Sequence, residues 1–166
     1  MDALGLLDQT LPESLIQAGP FDFILCTEVL EHVFNWPAAF RNLASILSPG
    51  GRLLVTTPHF YPLHEVPYDY WRPTPYAIER AALDNDLQVC HVESLGDGWD
   101  VLGTFLGETR CRPATFGAIG AISTLVGKGI RKIVEKAAAS AWVRRHVHLR
   151  SPYFLSCLAV LRRPAE

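Results

Sequence analysis

A chain of 166 residues that is 49% hydrophobic and 19% charged can bury a core of one domain, which excludes the disordered and fibrous classes. Its net charge of -2 hides an uneven distribution: residues 1–109 carry four Arg against fifteen Asp and Glu, whereas 110–163 carry eleven Lys and Arg against Glu135 alone. Cys26, Cys90, Cys111 and Cys157 form no CxxC pair, and neither a leader-type N-terminus nor a bilayer-length apolar run is present, so a soluble, cytoplasmic chain with reduced thiols is expected.

In chain order, Phe21 to Thr27 is an apolar run bounded by Gly19-Pro20, the pattern of a strand buried on both faces of a parallel sheet. Asn35 is placed to cap a helix whose Trp36, Phe40, Leu43 and Leu47 recur at helical spacing, and Pro49-Gly50-Gly51 is expected to end it with a left-handed glycine cap. Arg52 to Thr57 reads as a second buried strand. The strand, helix and strand make a βαβ unit, whose functional groups belong beyond the strands' carboxyl ends. Thr74-Pro75 starts a helix running to about Asp84, Leu87 to Glu93 reads as a third strand, and Tyr153 to Leu161 as a fourth.

Between the last two strands lies a basic helical insertion, expected over 97–150 within a single domain of 1–166. Phe116, Ile119, Ile122, Val126, Ile130 and Ile133 trace one helical stripe there, with Lys128, Arg131, Lys132 and Lys136 off it. Two readings stand: the stripe covers the sheet or a pocket, or it meets an anionic membrane surface, leaving the protein membrane-peripheral. The loop "PHFYPLHEVPYDYWRPTP" follows the second strand at the functional edge. His59, nearest the strand end, and His64 are candidate general bases; Phe60, Tyr61, Tyr68, Asp69 and Arg72 are candidate substrate contacts, Arg72 as an anion clamp. The alternative is that His64 and Asp69-Arg72 only pin this Pro-rich loop to the fold.

The segments "FDFILCTEVLEHVFNW" and "LSPGGRLLVTTP", at the separation found here, resemble the C-terminal half of a class I S-adenosylmethionine-dependent methyltransferase. The similarity runs from about Phe21 to Leu95, and Tyr153 to Leu161 resembles that fold's last strand. The resemblance implies an α/β fold: a partial Rossmann-like sheet comprising that fold's strands four to seven, the last antiparallel, with helices on its faces. It implies S-adenosylmethionine as cofactor, a small-molecule methyl acceptor, and a cofactor wall of Cys26, Thr27 and Glu28. Asp2 or Asp8 would take the place of the residue contacting adenine. The Glu28, Glu31, His32 pattern is similar to that of the ubiquinone-pathway O-methyltransferases, where the trio is associated with a divalent cation. On a helix starting at Glu28 these side chains converge on one turn, a set suited to Mg or Mn; the alternative is acids favoured by a helix N-terminus and a histidine bonded to the neighbouring loop.

The family's glycine-rich GxGxG turn is not found in this sequence. Gly96 and Gly98 follow a late strand, and Gly117 and Gly120 lie in the basic insertion. The expectation is therefore a methyltransferase-like domain lacking its first three strands, weak or inactive as an isolated chain, with an open strand edge that invites a second copy or a partner chain. A non-catalytic partner subunit and a peripheral membrane protein are the alternatives. No G-x-S-x-G elbow, no GxGxxG after a strand and no nucleic-acid-binding module are present, which disfavours hydrolase, dehydrogenase and nucleic-acid readings.

Overall fold

The computed structural model describes residues 7–114, 116–150 and 152–165. They fall into two compact units, one built from residues up to 59 with 63–95 and 156 onward, the other from 60–62 and 96–155. The expected insertion lies within the second unit.

In the first unit, α1 (Glu13–Ala18) leads through Gly19-Pro20 into β1 (Phe21–Thr27), followed by α2 (Trp36–Ser45), β2 (Leu47–Pro58), α3 (Pro75–Leu83), β3 (Gln88–Leu95) and, after the second unit, β4 (Ser156–Arg162). The sheet order is β1-β2-β4-β3. β1 and β2 are parallel, while β4 runs antiparallel to both its neighbours. β2 and β4 occupy the sheet centre because they carry the alternating apolar residues that can be buried there. Leu53, Val55, Cys157, Ala159 and Leu161 are buried, and Phe40 and Leu43 of α2 and Ile78 and Ala82 of α3 join them in the core. Cys26 stands opposite Val55 and Thr27 opposite Thr56, so the carboxyl ends of β1 and β2 are level. All four cysteines are free thiols.

Two local expectations are corrected. β1 is not buried on both faces: it is the edge strand, and its alternate residues Phe23 and Leu25 are 57% and 62% exposed. The glycines do not cap α2, which ends at Ser45 with Ile46 in a right-handed cap; Leu47 already belongs to β2. Gly50, at φ +80°, lies inside β2, and a Cβ on Gly51 would meet backbone atoms of Ser48 and Phe21 at 2.8 and 2.9 Å. These glycines serve an irregularity in which pairing jumps from Phe21 with Leu47 to Phe23 with Arg52, the bulge at which glycine is favoured.

α2 and α3 start as their sequences direct, with Pro in the first turn behind a side-chain cap. Asn35 Oδ1 accepts from the Ala38 N–H at 3.2 Å and Thr74 Oγ1 from the Ala77 N–H at 3.3 Å. Asn35→Ala is expected to cost about 1 kcal/mol and lower the melting temperature by roughly 2–4 °C, read by thermal denaturation.

The second unit holds α4 (Gly98–Glu108), α5 (Gly117–Ala139) and α6 (Ala141–His146). Asp97 and Asp100 form a capping box at the start of α4. α4 packs on α5, and α5 on α6. Arg144 of α6 pairs with Asp100 and donates to the Ala138 carbonyl at 2.7 Å, while Arg131 of α5 pairs with Glu135 at 2.6 Å and donates to the Thr109 carbonyl. The residues of α5 facing inward are small or polar, Gly120 and Ala138 being buried, whereas the Ile and Val stripe is exposed.

Candidate active site

At the carboxyl end of β1 the chain turns abruptly. Glu28 adopts φ +52°, a left-handed conformation that a non-glycine residue enters at a cost of roughly 1 kcal/mol or more. Its N–H donates to the Thr56 carbonyl at 3.0 Å, and its carboxylate accepts from the Thr56 hydroxyl at 2.9 Å. A single 3-10 turn, Leu30–His32, follows in place of the expected helix. The altered geometry separates the expected trio: Glu28 is held by β2, and Glu31 and His32 gather with His64. The ligand atoms of Glu31, His32 and His64 lie within 4.8 Å of one another.

This cluster is built around a buried carboxylate. Glu31 is completely buried, and neither of its oxygens has a hydrogen-bond partner among the described residues. His32 Nε2 stands 3.6 Å and His64 Nε2 3.9 Å from Glu31 Oε1. Each ring is fixed from behind: His32 Nδ1 lies 2.9 Å from the Tyr68 carbonyl, and His64 Nδ1 lies 3.2 Å from Asp69 Oδ2. Because those partners only accept, both Nδ1 atoms carry hydrogen, which leaves the Nε2 side of each ring toward Glu31, that of His32 also 3.9 Å from Glu65 Oε2. Burial, seconded by the charge of Glu28, raises the Glu31 carboxyl above its ordinary range despite the nearby imidazoles.

Asp69 organises the loop around this cluster. Its side chain is 1% exposed, and it receives Arg72 Nη1 at 2.5 Å, Arg72 Nη2 at 2.7 Å and the His64 N–H at 2.9 Å. The bidentate Arg72 pairing holds the Asp69 carboxyl well below the usual carboxylate range. The Tyr70 and Trp71 N–H groups both donate to the Glu31 carbonyl, which ties the loop to the 3-10 turn.

The remaining expected residues are placed as follows. Asp2 lies outside the described residues; the Asp8 carboxylate accepts from the Asn35 N–H at 3.2 Å, at the start of α2. The Cys26 side chain is buried, and burial together with the Glu31 charge pushes its thiol up to about 12, so it stays protonated. Thr27 is exposed at the end of β1. His59 follows β2 directly, with Nδ1 at 3.0 Å from the Pro73 carbonyl. Tyr68 is largely exposed. Phe60 and Tyr61 belong to the second unit, where Phe60 lines a hollow with Phe105, Leu149 and Tyr153.

A cavity of about 670 Å³ lies in the first unit, lined by Phe34, Trp36, Trp71, Arg72, Thr74 and Ala77 among others. Of the expected substrate contacts only Arg72 lines it. Phe34, Trp36 and Trp71 were not anticipated. The signal for them was present in "FNW" and "DYWRP", where aromatic residues stand beside both helix starts. The indole of Trp36 donates to the Leu30 carbonyl at 2.7 Å and that of Trp71 to the Val33 carbonyl at 3.0 Å, fixing both rings to the segment after β1.

A parallel βαβ unit joined to an antiparallel strand inserted ahead of the edge, with polar groups gathered at the carboxyl ends, defines a Rossmann-like α/β domain of the methyltransferase type. A family described as "Methyltransferase domain" matches residues 7–96. The ubiquinone biosynthesis O-methyltransferases of Xanthomonas axonopodis pv. citri (strain 306) and Xylella fastidiosa (strain 9a5c) are each 51% identical to this chain over 41 residues. The match covers 25% of this chain and 17% of each relative, so less than a fifth of those proteins' length is represented. Among solved structures, an S-adenosylmethionine-dependent methyltransferase from Mesorhizobium loti aligns with 95% of this chain and 67% of its own, at 17% identity and a TM-score of 0.49. The O-methyltransferase of a trans-AT polyketide synthase multienzyme of Brevibacillus brevis, solved with S-adenosyl-L-homocysteine, aligns over 97% and 48% at 13% identity and a TM-score of 0.49. The chain belongs to the methyltransferase domain family, and its sheet is a partial class I S-adenosylmethionine-dependent methyltransferase sheet.

Proposed function

We propose that this chain forms the acceptor side of an S-adenosylmethionine-dependent methyltransferase acting on a small molecule, with the cofactor's amino-acid end held by residues outside this sequence. The observation that carries the reading is the level carboxyl edge of β1 and β2, which gathers Thr27, Glu28 and His59 beyond one pair of strands. Cys26, Thr27 and Glu28 form the cofactor wall, Cys26 through its backbone because its thiol is buried. The aromatic cavity with Arg72 at its margin suits a flat, apolar acceptor with an anionic group.

Methyl transfer is an in-line displacement: the acceptor atom bonds to the sulfonium methyl as the carbon–sulfur bond breaks, leaving S-adenosylhomocysteine. Positioning supplies most of the acceleration. The acceptor's proton passes to a base, for which His59 is best placed: its Nδ1–H on the Pro73 carbonyl fixes the tautomer with a basic Nε2.

A cation is the other aid to deprotonation, and the donor set decides which cation fits. Glu31, His32 and His64 offer one carboxylate and two imidazoles, each imidazole backed by an acceptor, around a carboxylate whose oxygens have no hydrogen-bond partner among the described residues. That chemistry fits Zn or Mn; Mg, which prefers oxygen ligands, fits it poorly. Glu31, His32 and His64 would hold such a cation, which would supply a Lewis acid for an acceptor hydroxyl.

Calorimetry tests the division of the cofactor site. The 166-residue chain is expected to give no saturable heat with micromolar S-adenosylmethionine, and micromolar affinity would show that the whole cofactor site lies within it. The coding DNA upstream of Met1 supplies the second arm. A longer chain containing an in-frame strand and glycine-rich turn is expected to bind the cofactor and methylate hydroxylated small molecules; failure of that chain to bind would remove the methyltransferase reading.

A second reading rests on the edge of β1, which pairs with no second strand among the described residues and exposes Phe23 and Leu25: a non-catalytic subunit that docks another chain there. Light scattering separates the two, since a monodisperse monomer removes the motive for the second.

A further inference from the structure

The outward surface of the second unit is unlike that of an ordinary packing helix. Along α5, Ile119, Ile122, Val126, Ile130 and Ile133 are each 55–79% exposed and share one helical face. The inward side is occupied instead by Gly120, Thr124, Gly127, Arg131 and Ala138. Lys136 flanks the stripe, with Lys132 and Lys128 at i, i+4 spacing set progressively farther round the helix, and none of the three forms an ion pair among the described residues. The cations with structural work are different ones: Arg131 is engaged by Glu135 and Arg144 by Asp100. Between Arg110 and Arg150 nine Lys and Arg stand with Glu135 as the one acid, and of the unit's other acids, Asp97, Asp100 and Glu108, which belong to α4 and its cap, the first two are against Arg144. Phe116 at the start of α5 and Trp142 on α6 are also exposed, adding the aromatic residues that favour a water–lipid boundary.

We infer that α5 is a monotopic docking surface for an anionic lipid bilayer: the Ile and Val stripe enters the headgroup–acyl boundary, and the lysine row lies against acidic headgroups. Charge selects this occupant. A second copy pairing through the same stripe would bring two sets of α5 lysines together, and the one acid within α5, Glu135, is already bound to Arg131. A bilayer carrying phosphatidylglycerol supplies the missing negative charge and an apolar layer together. No helix among the described residues is long and apolar enough to cross a membrane, so α5 lies along the surface. None of its residues is among the proposed methyl-transfer residues, so the inference holds whether or not that reading does.

Vesicle co-sedimentation of the full chain is the test. Binding is expected to vesicles of phosphatidylcholine with phosphatidylglycerol, to weaken as salt is raised, and to be slight with phosphatidylcholine alone. Lys128→Gln/Lys132→Gln/Lys136→Gln is expected to lower the partition coefficient about tenfold or more, each lysine near an anionic surface being worth about fivefold before screening. Ile122→Asn/Ile130→Asn is expected to abolish sedimentation while leaving the far-ultraviolet circular dichroism of the chain unchanged. Absent or charge-independent binding overturns the proposal. So does a concentration-dependent dimer that the Ile122→Asn/Ile130→Asn variant dissolves while vesicles leave the wild type in the supernatant. Should the isoleucine variant unfold, the surface lysine variant and the salt dependence of the wild type still decide.

Discussion

Asp69→Asn is expected to destabilise the first unit by about 3 kcal/mol and to lower its melting temperature by roughly 6–12 °C. The carboxylate is almost wholly buried, accepts both guanidinium nitrogens of Arg72, accepts the His64 N–H and stands against the His64 ring. Asparagine keeps the shape but presents one oxygen where two are used, and leaves a charged Arg72 beside a neutral amide. Arg72 is itself 22% exposed, so water recovers part of the loss, which sets the value at the lower end for a broken buried pair. The acid limb gives an independent signature. Arg72 holds the folded Asp69 carboxyl below its ordinary value of 3.8, so its stabilisation is complete above that pH and is lost as pH falls toward the folded value. Thermal melts of wild type against pH should fall through this acid range, and the variant's curve should be flatter there. Unchanged melting temperature and acid limb would show that Asp69 does not organise the loop. His64 also loses its backing acceptor, so the same variant should weaken any divalent cation response.

The sequence patterns that proved readable were those in which local chemistry and burial agree. Asn35 and Thr74, each followed by a helix start with Pro, cap helices in the structure because the side-chain oxygen finds its N–H within three residues. Leu53 and Val55 alternate into the core as their strand pattern requires. Long-range partners decide the rest. β1 has the same apolar character as a central strand, and only the sheet order makes it an edge. The glycines after Ser48 carry the signal of a helix cap, but cross-strand pairing with Phe21 draws Leu47 into β2 and turns them into a bulge. The stripe on α5 was visible as a stripe, yet periodicity does not say which side faces the protein; small residues at Gly120, Gly127 and Ala138 let α5 pack closely on that face and leave the larger one outward. At the candidate site, helical spacing drew Glu28 together with Glu31 and His32. The left-handed turn at Glu28 and the tightened 3-10 turn remove that spacing, and His64, distant in sequence, takes the place beside them because Asp69 holds it there.

Glu31→Leu is expected to give a more stable chain in the absence of divalent cations, by about 1–3 kcal/mol at neutral pH, and one that no longer responds to them. The wild type keeps a carboxylate at zero exposure with neither oxygen hydrogen-bonded among the described residues, and leucine fills nearly the same volume without that desolvation cost. The sign with pH follows from the raised folded value. Glu31 is protonated more readily in the folded chain than in the unfolded one, so its contribution is fully present below the ordinary glutamate value of 4.5 and declines as pH rises through the folded value. The advantage of the leucine variant should therefore be small in acid and widen toward neutrality. Added Zn or Mn should reverse the order: a cation bound by Glu31, His32 and His64 stabilises the wild type by mass action and leaves the variant where it was. Glu31→Gln serves as the control for shape, since it removes the charge, retains the polar atoms and is expected to recover only part of the gain. Parallel melts of the three proteins across pH, with a chelator and with each cation, separate these terms. A leucine variant that melts below the wild type at neutral pH with the chelator present would mean that the buried carboxylate stabilises the metal-free fold, which the cluster's geometry gives no reason to expect.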